Sequence, residues 1–214
     1  MDSICYIVGS RPPGEIALAR GRAALVIAAD GGLRHLEAQG LTADLIVGDF
    51  DSLGRVPEGD NILRHPVEKD DTDMLLAVRT GLDRGYRIFV LYGGLGGRLD
   101  HTYANLQVLN FLASRGASGR LLGEGMAAAA VSGGSALCFG PEHRGVVSVF
   151  CPGPDAEGVC LEGLYYPLSN AVLTSSFPLG VSNQFTGRPA RISVERGTLL
   201  VMWEESAASV VSRL

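Results

Sequence analysis

No stretch of the 214-residue chain approaches the roughly 18 consecutive apolar residues of a membrane span, so no crossing segment is expected. The N-terminus, MDSICYIVGSRPPGE, lacks a basic stretch leading into a long apolar one. No secretory signal is therefore expected, and the expected location is the cytoplasm. The four cysteines (Cys5, Cys138, Cys151, Cys160) form no C-x-x-C pair, and three of them sit in apolar, strand-like sequence. That pattern favours buried free thiols over a disulfide framework or a zinc site. Lysine is almost missing: Lys69 is the only one among 18 basic residues. The net charge of −5 argues against a general nucleic-acid binder. No internal repeat or low-complexity tract is present.

Apolar content is ordinary to high and there are 29 glycines, which suits a loop-rich globular protein with one large domain or two small ones. Acid is unevenly placed. Eleven of the twelve aspartates lie in the first 100 residues, and only Asp155 follows. In the first half, strand-like segments at 4–8, 24–28, 45–47, 61–64 and 88–92 alternate with helical patterns at 32–39, 72–84 and 99–115. The last helix has apolar positions Leu99, Tyr103, Leu106, Leu109 and Ala113, and Gly116 closes it. This alternation predicts an α/β domain with a mainly parallel sheet. Beyond about residue 118, short apolar runs separated by Gly, Pro, Ser and Asn predict an all-β sandwich. The expected division is 1–122 and 123–214.

Four aspartate-bearing motifs follow expected strands or open expected helices: AADGG (28–32), VGDFDSL (47–53), KDDTDM (69–74) and GGLGGRLDHTYAN (93–105). In open parallel sheets, ligands bind beyond the carboxyl ends of the strands, so these acids are expected on one rim. In extended chain, Asp49 and Asp51 face one way and Phe50 the other. Two options stay open for that pair. The aspartates cap a turn, or they share a hard cation such as Mg²⁺ with phosphate oxygens. At the second helix, Asp71 or Thr72 can serve as N-cap, which leaves Asp71 or Asp73 for function.

The Gly-rich segment is not a Walker A loop, and it breaks the dinucleotide G-x-G-x-x-G pattern at Leu99. Its glycines allow backbone close to a ligand, with Arg98, Asp100, His101 and Asn105 following. His101 and Asn105 lie four apart on one helical face, where plain surface polarity is the alternative. In the second half, GVSNQFTG (180–187) is expected as a polar loop in which Ser182 and Asn183 either read a small ligand or build a turn. Tyr165, Tyr166 and Trp203 can stack on an aromatic ligand or fill the core. His35, His65 and His143 show no metal-ligand spacing.

These motifs, in this order and followed by S-N-x-F (182–185), resemble the thiamine pyrophosphokinase family. The resemblance implies an α/β catalytic domain, a β-sandwich domain that binds thiamine, and a homodimer with sites between subunits. It implies transfer of the diphosphoryl group of ATP to thiamine, with release of AMP and with Mg²⁺ as cofactor. By position, Asp49, Asp51, Asp73 and Asp100 resemble the acids that hold Mg²⁺ and ATP and promote transfer. Asp30 matches the aspartate of an A-D-G-G motif. Arg98, His101, Asn105, Asp71 and Thr72 fall on the ATP and phosphate side, and Ser182, Asn183 and Tyr166 on the thiamine side. An acidic pocket binds anionic ATP only through cations, and acidic and aromatic surroundings suit the thiazolium cation of thiamine. Asp100, or a neighbouring acid, is the candidate to orient or deprotonate the attacking hydroxyl. Two other functions fit the same residues: a kinase that transfers only the γ-phosphoryl group, and a non-enzymatic thiamine or nucleotide binder.

Overall fold

The computed structural model of the chain describes residues 3–19, 24–48, 61–64 and 71–205. These residues are mostly strand, with three helices. In chain order they form β1 (Ile4–Val8), β2 (Ala24–Ala29), α1 (Gly32–Ala38), β3 (Leu45–Gly48), β4 (Ile62–Arg64), α2 (Asp73–Asp83), β5 (Ile88–Tyr92) and α3 (Leu99–Ala113). There follow β6 (Ser118–Gly123), β7 (Met126–Ser132), β8 (Ser135–Phe139), β9 (Val146–Phe150), β10 (Ala156–Glu162), β11 (Leu168–Leu173), β12 (Gly180–Gln184), β13 (Ala190–Val194) and β14 (Thr198–Glu204).

One ten-stranded sheet runs in the order β12-β9-β14-β7-β6-β5-β1-β2-β3-β4, and a four-stranded sheet in the order β11-β10-β13-β8. From β6 to β4 every pairing is parallel. From β6 through β7, β14 and β9 to β12 every pairing is antiparallel, as in the whole small sheet. Strand β6 pairs parallel with β5 and turns directly into β7, with Gly123 opposite Met126. The sheet is thus continuous across residues 122 and 123, where the sequence changes character.

The parallel strands are buried on both faces, and alternation assigns the faces. Ile4, Tyr6 and Val8 of β1 join a core with Leu33 and Leu36 of α1. Cys5 and Ile7 join a second core with residues of α2 and α3, including Ala77, Val78, Leu109 and Leu112. The first core continues between the two sheets of the β-rich half, where Trp203 of β14 meets Phe139 of β8 with ring centroids 5.2 Å apart. Trp203 is a core residue, which answers the choice the sequence left open. Two buried tyrosines tie down the segment after β1: the Ala19 amide donates to Tyr6 Oη (3.0 Å), and Tyr92 Oη donates to the Ala17 carbonyl (2.9 Å). Burial pushes the Tyr92 phenol up to about 12.

Three local expectations change. Helix α3 buries Leu109 and Ala113 of the expected row and partly covers Leu106, but Leu99 and Tyr103 at its start are 81 % and 60 % exposed. Asn105, Val108 and Leu112 complete its buried face, and Leu109 and Leu112 lie against Gly119 of β6. Residues 180–184 are not a loop but the edge strand β12, with a register shift between Gly180 and Asn183 and Ser182 at φ 57°. The cysteines are not all buried: Cys5 and Cys151 are, Cys160 is partly covered, and Cys138 is exposed.

Candidate active site

Strand β1 has β2 on one side and β5 on the other, so the chain reverses its direction of travel across the sheet there. Such a switch point opens a crevice beyond the strand ends. A cleft of about 730 Å³ lies at this position. Its walls come from the segment after β1, from Asp30 after β2, from the Gly-rich segment after β5, and from the first turns of α2 and α3.

The structure brings eight of the sequence candidates to this cleft: Asp30, Asp71, Thr72, Asp73, Arg98, Asp100, His101 and Asn105. Asp30 is buried, in the left-handed region at φ 47°, which Asp tolerates better than most residues. Its amide donates to the Val47 carbonyl (2.8 Å), and Ser10 Oγ donates to its Oδ2 (3.2 Å). Thr72 is the N-cap of α2: its Oγ1 accepts from the Leu75 amide at 3.3 Å. Asp71 forms an ion pair with Arg79, about two helical turns further on, and Asp73 occupies the first turn.

Arg98 and Asp100 form a two-pronged pair, Nε to Oδ1 at 3.1 Å and Nη2 to Oδ2 at 2.5 Å. The Arg98 guanidinium holds the Asp100 carboxyl down at about 2, and the carboxylate in turn raises Arg98. Asp100 so paired is a weak proton acceptor. Asn105 is buried, and its Nδ2 donates to the Gly94 carbonyl at 2.8 Å. Its amide therefore fixes the Gly-rich segment rather than adding to surface polarity. His101 is exposed.

The glycines of that segment admit the protein's own atoms. A Cβ on Gly97 would lie 2.3 Å from Arg11 Cζ, and one on Gly96 would lie 2.1 Å from Glu124 Oε1. Sequence reasoning passed over Ser10 and Arg11, both of which line the cleft. The signal was available, since they directly follow a strand that ends on the same rim.

Asp49, Asp51 and Phe50 lie outside the described residues, as does His65. Gly48, the residue before Asp49, abuts Asp30, its built Cβ lying 3.2 Å from Asp30 Cα. Among the described residues no three His, Cys, Asp or Glu side chains are gathered closely enough to hold a metal ion. The acids at the cleft offer oxygen donors only, the set a hard cation takes.

The remaining candidates stand elsewhere. Asn183 is buried on β12, where its Oδ1 accepts from the Tyr166 amide (2.9 Å) and the Gln184 amide (2.8 Å), and its Nδ2 donates to the Tyr166 carbonyl (2.7 Å). Its side chain thus shapes the neighbouring backbone. Ser182 is exposed, and its amide donates to Ser148 Oγ at 3.1 Å. Tyr165 and Tyr166 are exposed and meet edge to face with centroids 4.8 Å apart. Strand β12 is five strand spacings from β5, or about 24 Å along the sheet. One chain therefore does not bring Ser182, Asn183 and Tyr166 to the acidic cleft. No helix among the described residues is long and apolar enough to cross a membrane.

Two family descriptions match the chain: "Thiamin pyrophosphokinase, catalytic domain" over residues 18–117, and "Thiamin pyrophosphokinase, vitamin B1 binding domain" over residues 140–199. The thiamine pyrophosphokinase of Bacillus subtilis is 27 % identical over 184 residues, spanning 83 % of this chain and 86 % of the relative. The crystal structure of a Bacillus subtilis thiamine pyrophosphokinase superposes with a TM-score of 0.81 at 23 % identity, covering 96 % of this chain and all of that one. Thiamin pyrophosphokinase from Candida albicans gives 0.74 at 15 % identity, over 95 % of this chain and 90 % of that one.

Proposed function

The chain belongs to the thiamin pyrophosphokinase family, and we propose that it transfers the diphosphoryl group of ATP to the hydroxyl of thiamine. The observation that carries this reading is the single cleft where Asp30, Asp73, Arg98 and Asp100 meet, inside the stretch matched to the family's catalytic domain. The hydroxyl oxygen attacks the β-phosphorus, the bond from that phosphorus to the α–β bridging oxygen breaks, and AMP leaves. The hydroxyl proton passes to a carboxylate or to water.

ATP is a polyanion, and a cleft of aspartates repels it unless cations intervene. Asp73 and Asp100, with Asp49 and Asp51 beyond the described residues, are the side chains that would hold Mg²⁺. Held there, such an ion would supply positive charge against the phosphate oxygens. Before nucleotide arrives, Arg98 is occupied by Asp100. When the Arg98 fork turns to a phosphate oxygen, the Asp100 carboxylate is released from its partner and its oxygens are open to a cation. Asn105 keeps the backbone beneath this pair in place, and Thr72 does the same for the start of α2.

On the thiamine side, Tyr166 offers a ring face to the thiazolium cation, and Asn183 fixes the backbone that presents it. Residues 1–122 form the catalytic α/β domain in this reading and 123–214 the thiamine-binding β-sandwich. The span of about 24 Å along the sheet between β12 and β5 favours a homodimer in which the β12 edge of one chain completes its partner's cleft. The proposed location is the cytoplasm, where ATP is supplied.

The test is incubation of the protein with ATP, Mg²⁺ and thiamine, followed by chromatography. Thiamine diphosphate together with AMP is expected. ADP in place of AMP assigns a γ-phosphoryl kinase, and ligand binding without any product assigns a sensor.

A further inference from the structure

The cleft's walls contain a second arginine, supplied by the segment after β1. Arg11 lies at the boundary between the 730 Å³ cleft and a neighbouring one of about 660 Å³ that holds Pro12, Leu95, Glu124 and Met126. It is anchored at its backbone, where its amide donates to the Gly93 carbonyl at 3.2 Å. Its guanidinium is laid on the Gly97 backbone so closely that a Cβ there would lie 2.3 Å from Cζ and 2.6 Å from Nε and Nη1. Gly97 has φ +67°, a conformation that also favours glycine, so two constraints keep this approach open.

The side chain of Arg11 is partly buried and has no hydrogen-bond or ion-pair partner among the described residues. This contrasts with Arg98 beside it, which is paired with Asp100, and with Asp71 at the cleft, which is paired with Arg79. Glu15 and Glu124 line the neighbouring cleft but form no ion pair with Arg11, and holding a guanidinium partly out of water without a hydrogen-bonded partner costs free energy. The cost is offset once an anion with several oxygens enters, because the fork can donate two parallel hydrogen bonds.

We propose that Arg11 is a phosphate-binding residue of the cleft, donating to an oxygen of the nucleotide's polyphosphate across the Gly96–Gly97 backbone. It supplies the positive charge that is in place before Arg98 leaves Asp100. The proposal rests on the reading of the cleft as a nucleotide polyphosphate site.

The experiment is calorimetric titration with inorganic tripolyphosphate plus Mg²⁺, and separately with thiamine, for the wild type, Arg11→Ala and Arg11→Lys. A lost charge-assisted contact weakens tripolyphosphate binding by about 10- to 100-fold in Arg11→Ala. Arg11→Lys, which keeps the charge without the fork, should fall between the two, and thiamine affinity should be unchanged in both. Equal tripolyphosphate affinity in wild type and Arg11→Ala overturns the proposal. So does a matching loss of thiamine affinity, which would mark a collapsed loop, or a wild type that does not bind tripolyphosphate at all. If the wild type binds it and Arg11→Ala does not, yet no thiamine diphosphate forms in the activity assay, the role of Arg11 stands and the assigned reaction falls.

Discussion

Replacing Asn105 tests how the cleft is held, because its buried amide links α3 to the backbone of the Gly-rich segment, beside the part-buried hydrogen bond from Thr102 Oγ1 to the Gly96 carbonyl at 3.3 Å. In Asn105→Ala, the buried Gly94 carbonyl loses its donor, which costs about 1–3 kcal/mol. For a chain of this size each kcal/mol lowers the melting temperature by roughly 2–4 °C, so a fall of about 2–12 °C is expected. Asn105→Asp has nearly the same shape but places a carboxylate oxygen against the carbonyl at neutral pH. The introduced carboxyl is buried and can donate to Gly94 only when protonated, so its folded-state pKa is raised above the ordinary value of about 3.9. A raised pKa contributes stability that is present below the unfolded value and lost as pH rises through the folded one. The deficit of Asn105→Asp relative to wild type should therefore be small near pH 4 and large at pH 7. Differential scanning calorimetry across that range reads the stability, and initial rates read function: KM for ATP should rise while KM for thiamine holds. If both variants melt with the wild type and the Asp variant shows no pH dependence, the clamp has no energetic role.

Arg98→Gln removes the group that holds Asp100 near pKa 2, so the carboxyl should titrate close to 3.9, as read by carbon NMR of labelled aspartate. The sign for stability is that of a depressed carboxyl: the pair's contribution is present above about 3.9 and lost as pH falls towards 2, and an unchanged Asp100 titration would refute the pairing. Asn183→Ala leaves Tyr166 without two part-buried hydrogen bonds and should cost about 0.5–1.5 kcal/mol for each. It should weaken thiamine binding while sparing tripolyphosphate binding, and equal losses of both would contradict the separation of the two sets of residues. Cys138 should react with a maleimide within minutes, whereas Cys5, whose thiol burial pushes up to about 12, should react only on unfolding. Fast labelling of Cys5 in the native protein would show that β1 is not buried as described.

The acidic rim was legible because two rules met: apolar runs bounded by turn residues located β1 and β5, and ligands gather where parallel strands end. That was enough to expect Asp30 and Asp100 on one rim, where they share a cleft. Arg11 escaped because the segment after β1 carries no aspartate motif to mark it. The glycines at 96 and 97 read as room for a ligand, but they make room for Arg11 and Glu124, which approach from 86 and 28 residues away. Such packing leaves no local trace. The exposed start of α3 was also hidden, because period groups Leu99 and Tyr103 with the buried Leu109 and Ala113 and does not say where along the helix the core ends. β12 read as a loop because GVSNQ is polar and stands at a sheet edge, with a kink at Ser182 breaking the alternation that marks a strand.

The most direct measurement follows phosphorus. ATP labelled at the β-position is incubated with the protein, Mg²⁺ and thiamine, and the products are separated and counted. Diphosphoryl transfer carries the β-label into thiamine diphosphate, with one AMP formed for each. Retention of the label in ADP, beside a thiamine monophosphate without it, would contradict the account.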